Sequence, residues 1–240
     1  MGRLAKKLVR YALGGLYPMA SSAYQEVKYR MGSKVYSQEG EDKILERIFG
    51  DCQSGFYVDI GAHHPFRFSN TYLFYSKGWR GINIDAAPGS MALFDKYRSR
   101  DINLEIGVGA RSETSTFYVF NEAALNTFDA ETANLRDAHP YHIKSQIKVQ
   151  IMPLADLLAE YLPDNASIDF MTIDVEGKDM EVLQSNDFYR FRPRMVLVET
   201  FGETCESLLE GACAKYMRSV GYAAIAKTVN TTFFVDLEKK

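Results

Sequence analysis

Four acidic residues stand at the ends of apolar segments that have the composition of buried β-strands. Asp59 follows "FYV", Asp85 follows "INI", Asp174 follows "MTI" and Glu199 follows "VLV". In an open parallel sheet the carboxyl ends of the strands share one edge, and ligands bind beyond that edge. We therefore expect these carboxylates to surround a common binding site.

The first two acids have the spacing of a nucleoside site. Asp59 and Asp85 lie 26 residues apart, about the length of one strand–helix–strand crossover. A carboxylate at the second strand end can accept hydrogen bonds from both hydroxyls of a ribose, and it would repel a 2′-phosphate. Gly61 lacks a Cβ and so lets a ligand approach the turn closely. Asp59, close to that turn, is expected near a cationic group of the ligand.

The loop after Gly61 lacks the glycine-rich motifs that bind phosphates. It reads Ala-His-His-Pro, so neither GxGxxG nor GKS/T is present. S-adenosylmethionine carries an adenosyl group and a positive charge but no phosphate, and it fits this loop better than a dinucleotide does. Two alternatives stay open, a nicotinamide-dependent oxidoreductase on a related sheet and a non-catalytic module that associates with membranes.

Strand-like and helix-like segments alternate along the chain, which favours an α/β domain with a parallel sheet and helices on both faces. The last two predicted strands, "YAAIAKTVN" and "TTFFVDL", are joined by a tight turn and must form an antiparallel hairpin. "INLEIGVGA" is predicted as one strand and "CESLLEGACAKYMRSVG" as one long helix. Residues 121–148 show no regular pattern and are predicted to form a lid or a wall of the acceptor site.

Charge is unevenly distributed along the 240 residues. The net charge of −3 gives no global attraction to nucleic acid, yet residues 1–34 carry seven positive charges and one negative charge. Leu4, Leu8 and Tyr11 share one face of a basic amphipathic helix at 3–16, which could bind an anionic membrane or pack against protein. We divide the chain into a basic arm, residues 1–34, and a single domain, residues 35–240.

Cysteine usage indicates a reducing compartment, because the three cysteines contain no CxxC pair. No apolar run approaches the roughly 20 residues that span a bilayer, and the first residues do not have the pattern of a cleavable signal. We expect a cytoplasmic protein, with peripheral contact to the inner face of the membrane through the arm. The oligomeric state does not follow from the sequence.

Three segments together resemble the FkbM-type family of S-adenosylmethionine-dependent O-methyltransferases. They are "YSQEGED", "GFYVDIGAHHPFRFSNTYLFYSKGWRGINIDAAP" and "IDFMTIDVEGKDMEVL", and the resemblance covers roughly residues 36–202. It departs from the family pattern at Lys178 and at "NIDAAP", without loss of a needed functional group. The resemblance implies a class I, Rossmann-like methyltransferase fold with seven strands, the last inserted antiparallel. It also implies methylation of a hydroxyl, often on a sugar of a glycan, glycolipid or related product.

The resemblance also implies a set of cofactor-binding residues. Asp85 and Ala86 would bind the ribose, Ile106 and Gly107 would flank the adenine, and Gln38 would close the site. The first strand would contribute Asp59, Gly61 and Ala62.

Methylation of a sugar hydroxyl needs a base or a metal, because this hydroxyl is a poor nucleophile at neutral pH. Asp174, Glu176 and His63 are the candidate catalytic residues, with Glu199 as a further candidate base and His64 as the alternative histidine. Asp174 and Glu199 end adjacent predicted strands and could share Mg²⁺ or Mn²⁺, although Glu199 could instead pair with a basic side chain. The acceptor is expected to be hydroxylated and sugar-containing, and the candidate residues for binding it are Asn121, Glu122 and Asn126.

Overall fold

The computed structural model describes residues 34–50, 52–200, 202 and 204–238. From Tyr36 onward the described residues belong to one unit of the chain, Tyr36–Lys240, and Lys34 and Val35 belong to the other, Met1–Val35. The basic helix predicted at 3–16, and with it the arm expected to contact a membrane, lies outside the described residues. No helix in the described part of the chain is long and apolar enough to cross a membrane.

Strands and helices alternate through the unit Tyr36–Lys240. The strands are β1 Phe56–Ile60, β2 Arg80–Asp85, β3 Ile102–Glu105, β4 Gly107–Val108, β5 Glu113–Phe120, β6 Ile143–Met152, β7 Phe170–Ile173, β8 Met195–Glu199, β9 Tyr222–Lys227 and β10 Thr231–Asp236. The helices are α1 Glu41–Phe49, α2 Tyr72–Ser76, α3 Met91–Tyr97, α4 Ala130–Arg136, α5 Leu154–Tyr161, α6 Asp179–Gln184, α7 Cys205–Leu208 and α8 Ala212–Ser219, with a 3-10 turn at Ala123–Leu125.

Seven of these strands form the central sheet, in the order β3-β2-β1-β7-β8-β10-β9. The pairs from β3 to β8 are parallel, whereas β10 runs antiparallel to both β8 and β9. The prediction of a class I, Rossmann-like methyltransferase fold with a C-terminal antiparallel hairpin is therefore confirmed.

Alternate side chains of each strand face opposite sides of the sheet, and helices cover both sides. On one side Val58 and Ile60 of β1 join a core that includes residues of α5, α6 and α8. On the other side Tyr57 joins a second core that includes Trp79 and residues of α1, α2, β7, β8 and β10. The many aromatic residues of the sequence are thus used largely in the core.

The part of the chain between β3 and α5 forms a small second sheet, with the strand order β4-β6-β5. Its strand β6 pairs antiparallel with β5 along most of its length. The prediction of an irregular segment is wrong for residues 143–148, which form part of β6. The remaining residues 121–142, called the insertion below, contain the 3-10 turn and α4.

Two further predicted elements are divided in the structure. "INLEIGVGA" contributes β3 to the central sheet and β4 to the small sheet. The long helix predicted at residues 205–221 is wrong, because α7 and α8 are separate. Gly211, the N-cap of α8, has extended backbone angles that no continuous helix could accommodate.

Candidate active site

A cavity of about 320 Å³ lies beyond the carboxyl ends of β1, β2 and β7. β2 and β3 lie on one side of β1, and β7 and β8 lie on the other, so the chain reverses direction across the sheet at this point. Open parallel sheets bind ligands at such switch points. The predicted site residues that line the cavity are Gln38, Gly61, His63, Asp85, Ala86, Ile106, Gly107, Asn126, Asp174 and Glu176. The remaining ones, Asp59, Ala62, Asn121, Glu122 and Glu199, do not line it.

The cavity has an acidic lining. Asp85, Asp174 and Glu176 contribute carboxyl groups, and no lysine or arginine is among the described residues that line it. An anionic ligand such as a pyrophosphate would therefore meet repulsion without a compensating cation. A cationic or neutral ligand is favoured.

Gly61 turns the chain sharply between β1 and the rest of the loop. Its φ is +82°, and its N–H donates to the carbonyl of Ile84 at 2.9 Å. A Cβ at this position would overlap the carbonyl group of Asp174. Glycine is thus required because the backbones at the ends of β1 and β7 touch. This reason adds to the one expected from the sequence, which is the close approach of a ligand to the turn.

Asp85 is held by two backbone N–H groups, one for each of its carboxylate oxygens. One carboxylate oxygen accepts from the N–H of His63 at 2.9 Å and the other from the N–H of Ala87 at 2.8 Å. Burial raises the pKa of Asp85, while these two backbone donors oppose the rise. Each oxygen keeps lone-pair capacity for a ligand hydroxyl, as a ribose site requires.

Asp59 is placed away from the cavity, which corrects the expectation that it lies beside the ligand. It is buried, and its carboxylate accepts from the hydroxyl of Thr71 at 2.6 Å. Burial raises its pKa to about 6. Side chains alternate along β1, so the side chain of Asp59 lies on the same face of the sheet as that of Tyr57. Ile60, which lines the cavity, lies on the other face. Ala62 is also buried and does not line the cavity.

Three carboxylates meet where β7 and β8 end. Ligand oxygens of Asp174, Asp179 and Glu199 all lie within 4.8 Å of one another. Desolvation and the repulsion from neighbouring carboxylates raise the pKa of Asp174 well above its usual range and that of Glu199 to about 8. Asp174 is exposed to the cavity, yet the surrounding protein keeps it from full hydration. The ionised forms of both groups are therefore disfavoured, and each binds a proton more tightly than an ordinary carboxylate does.

Asp179, the third carboxylate of this group, was not singled out in the sequence. Its two oxygens accept from the backbone N–H groups of Val175 at 3.0 Å and Gly177 at 3.2 Å. These bonds hold the loop that carries Glu176. A cation shared by Asp174 and Glu199 remains a prediction, since an acidic cluster alone does not identify a metal site.

Glu176 is engaged by the insertion. Its carboxylate contacts Arg136 Nη2 at 2.5 Å, and its carbonyl accepts from the Thr127 hydroxyl at 2.7 Å. Its φ of +55° is strained for a residue with a side chain. Because Glu176 is paired with Arg136, Asp174 is the better placed of the two as a base.

The two histidines differ in environment. His64 Nδ1 accepts from the N–H groups of Phe66 and Arg67, both at 3.1 Å, so its ring is part of the turn. His63 lines the cavity with a φ of +52°, and its buried Nε2 has no hydrogen-bond partner. Burial lowers the pKa of His63, which favours the neutral imidazole.

The insertion contributes one wall of the cavity. Of the three residues predicted to bind the acceptor, only Asn126 lines it, and its side-chain oxygen accepts from the N–H of Phe120 at 2.8 Å. Asn121 instead bonds to the backbone of Pro140 and His142. Glu122 pairs with Arg67 at 3.3 Å. Asn121 and Glu122 therefore brace the insertion.

Two aromatic residues of the cavity were not recognised from the sequence. The rings of Phe117 and Phe128 lie 4.6 Å apart, and both line the cavity. A Cβ at Gly107 would lie 2.7 Å from the ring of Phe128, so this ring packs directly on β4. Such residues resemble core aromatics in sequence, and no spacing signal marks them as part of a site.

The family model for the methyltransferase FkbM domain matches residues 59–223, which is more than half of the chain. No curated protein and no solved structure matches. The matched range contains β1, β2 and β7, which position the cavity. The earlier resemblance is confirmed, and the chain belongs to the FkbM methyltransferase family.

Proposed function

We propose that the protein transfers a methyl group from S-adenosylmethionine to a hydroxyl group of a sugar-containing acceptor. Methyl transfer itself follows from the family. The observation that carries the proposed cofactor is the lining of the cavity, which combines three carboxyl groups with no lysine or arginine among the described residues. S-adenosylmethionine has two cationic groups and no phosphate, so it fits this lining, whereas a dinucleotide does not.

The residues of the cavity suit the parts of this cofactor. Asp85 would accept from the ribose hydroxyls, while Ile106, Gly107 and Phe128 would enclose the adenine with apolar contacts. Gln38 lies in the segment before α1 and lines the same cavity. When bound, the cofactor supplies an electrophilic methyl carbon on a sulfonium.

Asp174 is the group that we assign to deprotonate the acceptor hydroxyl. Its carboxyl group faces the cavity, and its raised pKa makes it a stronger base than an ordinary aspartate once it is ionised. Glu199 lies beside it and would stabilise the proton that Asp174 takes up. Positioning of the hydroxyl in line with the methyl group supplies much of the rate, and the insertion would exclude water from this space.

The hydroxyl acceptor is supported by the choice of base. A carboxylate with a raised pKa can take the proton of a neutral hydroxyl as the oxygen attacks, whereas a free amine attacks through its lone pair without first losing a proton. Asn126 at the wall of the cavity adds a polar side chain that could bind a sugar hydroxyl. The sugar itself is proposed from the resemblance to the family.

Ligand binding and methyl transfer together test the proposal. Saturating S-adenosylhomocysteine should stabilise the protein, by about 2.7 kcal/mol at a hundred times the dissociation constant, and NAD should not. Tritiated S-adenosylmethionine and a panel of glycosides and cell-envelope glycans then serve as substrates. Asp174→Asn should keep the stabilisation by S-adenosylhomocysteine and lose about 100-fold or more of the transfer rate.

Three outcomes decide the matter. Stabilisation by NAD and not by S-adenosylhomocysteine would overturn the proposed cofactor. Full transfer activity in Asp174→Asn would remove this residue from the mechanism. Loss of transfer on addition of a chelator, restored by Mg²⁺ or Mn²⁺, would establish the metal that the pair Asp174 and Glu199 could bind.

A further inference from the structure

Buried polar atoms without partners mark part of the cavity wall. Within the described residues the atoms of this kind are His63 Nε2, Ser90 Oγ, Arg136 Nη1 and Asn186 Oδ1. Two of them, on His63 and Ser90, belong to residues that line the cavity. Such an atom in the wall of a cavity is available for a hydrogen bond to a ligand, which would replace the water that otherwise satisfies it.

His63 and Ser90 both flank Asp85. The N–H of His63 donates to one oxygen of Asp85 at 2.9 Å, which fixes this residue beside the carboxylate. The Ser90 hydroxyl lies near enough to favour the ionised form of Asp85, yet it makes no hydrogen bond of good geometry. His63, Asp85 and Ser90 therefore lie close to one another in the wall of the cavity.

The hydrogen-bonding capacity of this group matches a diol. Asp85 can accept the protons of two neighbouring hydroxyl groups, because the backbone bonds leave lone pairs on both of its oxygens. The two hydroxyl oxygens then need donors. The Ser90 hydroxyl and a neutral imidazole protonated at Nε2 supply one donor each.

We propose that Ser90 and His63 complete, with Asp85, the subsite for the ribose diol of the cofactor. His63 is then a cofactor-binding residue, and its assignment as a catalytic base is withdrawn. The proposal rests on the proposed function, because it takes the ligand to be an adenosyl compound with a free ribose.

Isothermal titration with defined probes tests this subsite. The probes are S-adenosylhomocysteine, adenosine, 2′-deoxyadenosine and 3′-deoxyadenosine, and the variants are Ser90→Ala and His63→Asn. Asparagine is chosen because it tolerates the positive φ of residue 63. Ser219→Ala removes an exposed helical serine that is outside the cavity lining and serves as the matched control.

Each of the two variants should weaken S-adenosylhomocysteine roughly 3- to 10-fold, as expected for one hydrogen bond, and the control should not. The wild type should bind 2′- or 3′-deoxyadenosine more weakly than it binds adenosine. In the variant that lacks the donor for the missing hydroxyl, this difference in affinity should be smaller by a similar factor. Thermal unfolding of each variant without ligand shows whether the fold is retained.

The outcomes separate the subsite from the proposed function. If the wild type binds S-adenosylhomocysteine and Ser90→Ala binds it equally well, the ribose subsite is overturned while the cofactor stands. If the wild type binds neither S-adenosylhomocysteine nor adenosine, the proposed function itself fails. Unchanged affinity with lost methyl transfer in His63→Asn would return His63 to catalysis.

Discussion

The carboxyl groups of Asp174 and Glu199 carry an electrostatic cost that depends on pH. Both lie at strand ends within a cluster of acids, where desolvation and mutual repulsion disfavour the ionised forms. The folded protein therefore binds a proton here more tightly than the unfolded chain does. Stability from this source is fully present below the ordinary glutamate pKa and is lost as the pH rises through the raised pKa of about 8 for Glu199.

We predict that Glu199→Gln stabilises the protein at high pH. At pH 9 the wild type must ionise Glu199 beside its neighbours, whereas glutamine keeps the shape without the charge. The free energy of unfolding should exceed that of the wild type by roughly 1–3 kcal/mol at pH 9 and by much less at pH 5. Urea denaturation at the two pH values measures the difference.

Glu210→Gln is the matched control for this experiment. Glu210 is exposed and pairs with Lys215 at 3.6 Å, so its removal should have little effect at either pH. Equal changes in the two variants, or no dependence on pH in Glu199→Gln, would contradict the electrostatic account of the cluster.

Individual site residues were predictable where they lie at or just past a strand end. Asp85 and Asp174 occupy such positions, and spacing alone brought them to one edge of the sheet. The sequence prediction for Asp59 is wrong because this residue lies inside β1, one residue before the strand ends. Its side chain is on the side of the sheet away from the cavity. Ser90 and Asp179 gave no signal, since their roles depend on contacts made only in the folded chain.

At the scale of elements, the insertion is fastened to the loop after β7. Arg136 pairs with Glu176, Thr127 donates to the carbonyl of the same residue, and Lys178 lies 3.8 Å from Asp129. These contacts place the insertion across the wall of the cavity. A ligand bound in the cavity would contact this wall, so loosening of the insertion is expected to speed its release.

We predict that Arg136→Gln loosens the insertion without unfolding the protein. The ion pair with Glu176 is partly exposed, so its loss should lower the free energy of unfolding by only about 1 kcal/mol or less. Hydrogen exchange should become faster at residues 127–136, because local opening depends on this contact. S-adenosylhomocysteine should also dissociate faster.

Arg111→Gln provides the comparison for Arg136→Gln. Arg111 forms an exposed pair with Glu113 in the small sheet, at 2.7 Å. Exchange at residues 127–136 should be unchanged in this variant. If Arg136→Gln gives the same exchange pattern as Arg111→Gln, the ion pair with Glu176 does not hold the insertion.

Two features of the structure differ from the elements predicted from the sequence: the full length of β6 and the division between α7 and α8. Ile147, Val149 and Ile151 alternate with polar residues, which is a strand signal, but the irregular residues before them obscured it. Gly211 marks the break between α7 and α8, and an isolated glycine is weak evidence within an apolar helical pattern. Both errors concern boundaries, whereas the alternation of strands and helices gave the fold class.

For the whole molecule, the order of strands and the buried polar groups could not be derived from local patterns. β1 pairs with β7, more than 100 residues later in the chain, and such pairing depends on the global fold. Arg98 is a further case, since it is completely buried and follows α3. The groups that accept hydrogen bonds from its guanidinium are Asp101, Pro65, Ser69, Tyr57, Thr71 and Asn83.

These contacts join β1, β2 and the loop that follows β1, so Arg98 stabilises the part of the fold that carries the cavity. Asp101 pairs with it at 3.0 Å, and Asp59 is linked to it through Thr71. Removing the cation would leave buried carboxyl groups without compensation, which typically costs about 3–5 kcal/mol. That is a large fraction of the roughly 5–15 kcal/mol by which domains are stable.

We therefore predict that Arg98→Met lowers the free energy of unfolding by about 3–5 kcal/mol, measured by urea denaturation at neutral pH. Arg111→Met should change it by less than about 1 kcal/mol, because the pair with Glu113 is exposed. Since burial raises the pKa of Asp59 to about 6, this carboxyl group is neutral at pH 4 to 5, and the deficit of Arg98→Met should shrink there. A loss that is equal in the two variants, or independent of pH, would show that packing of the long side chain, and not its charge, holds this region together.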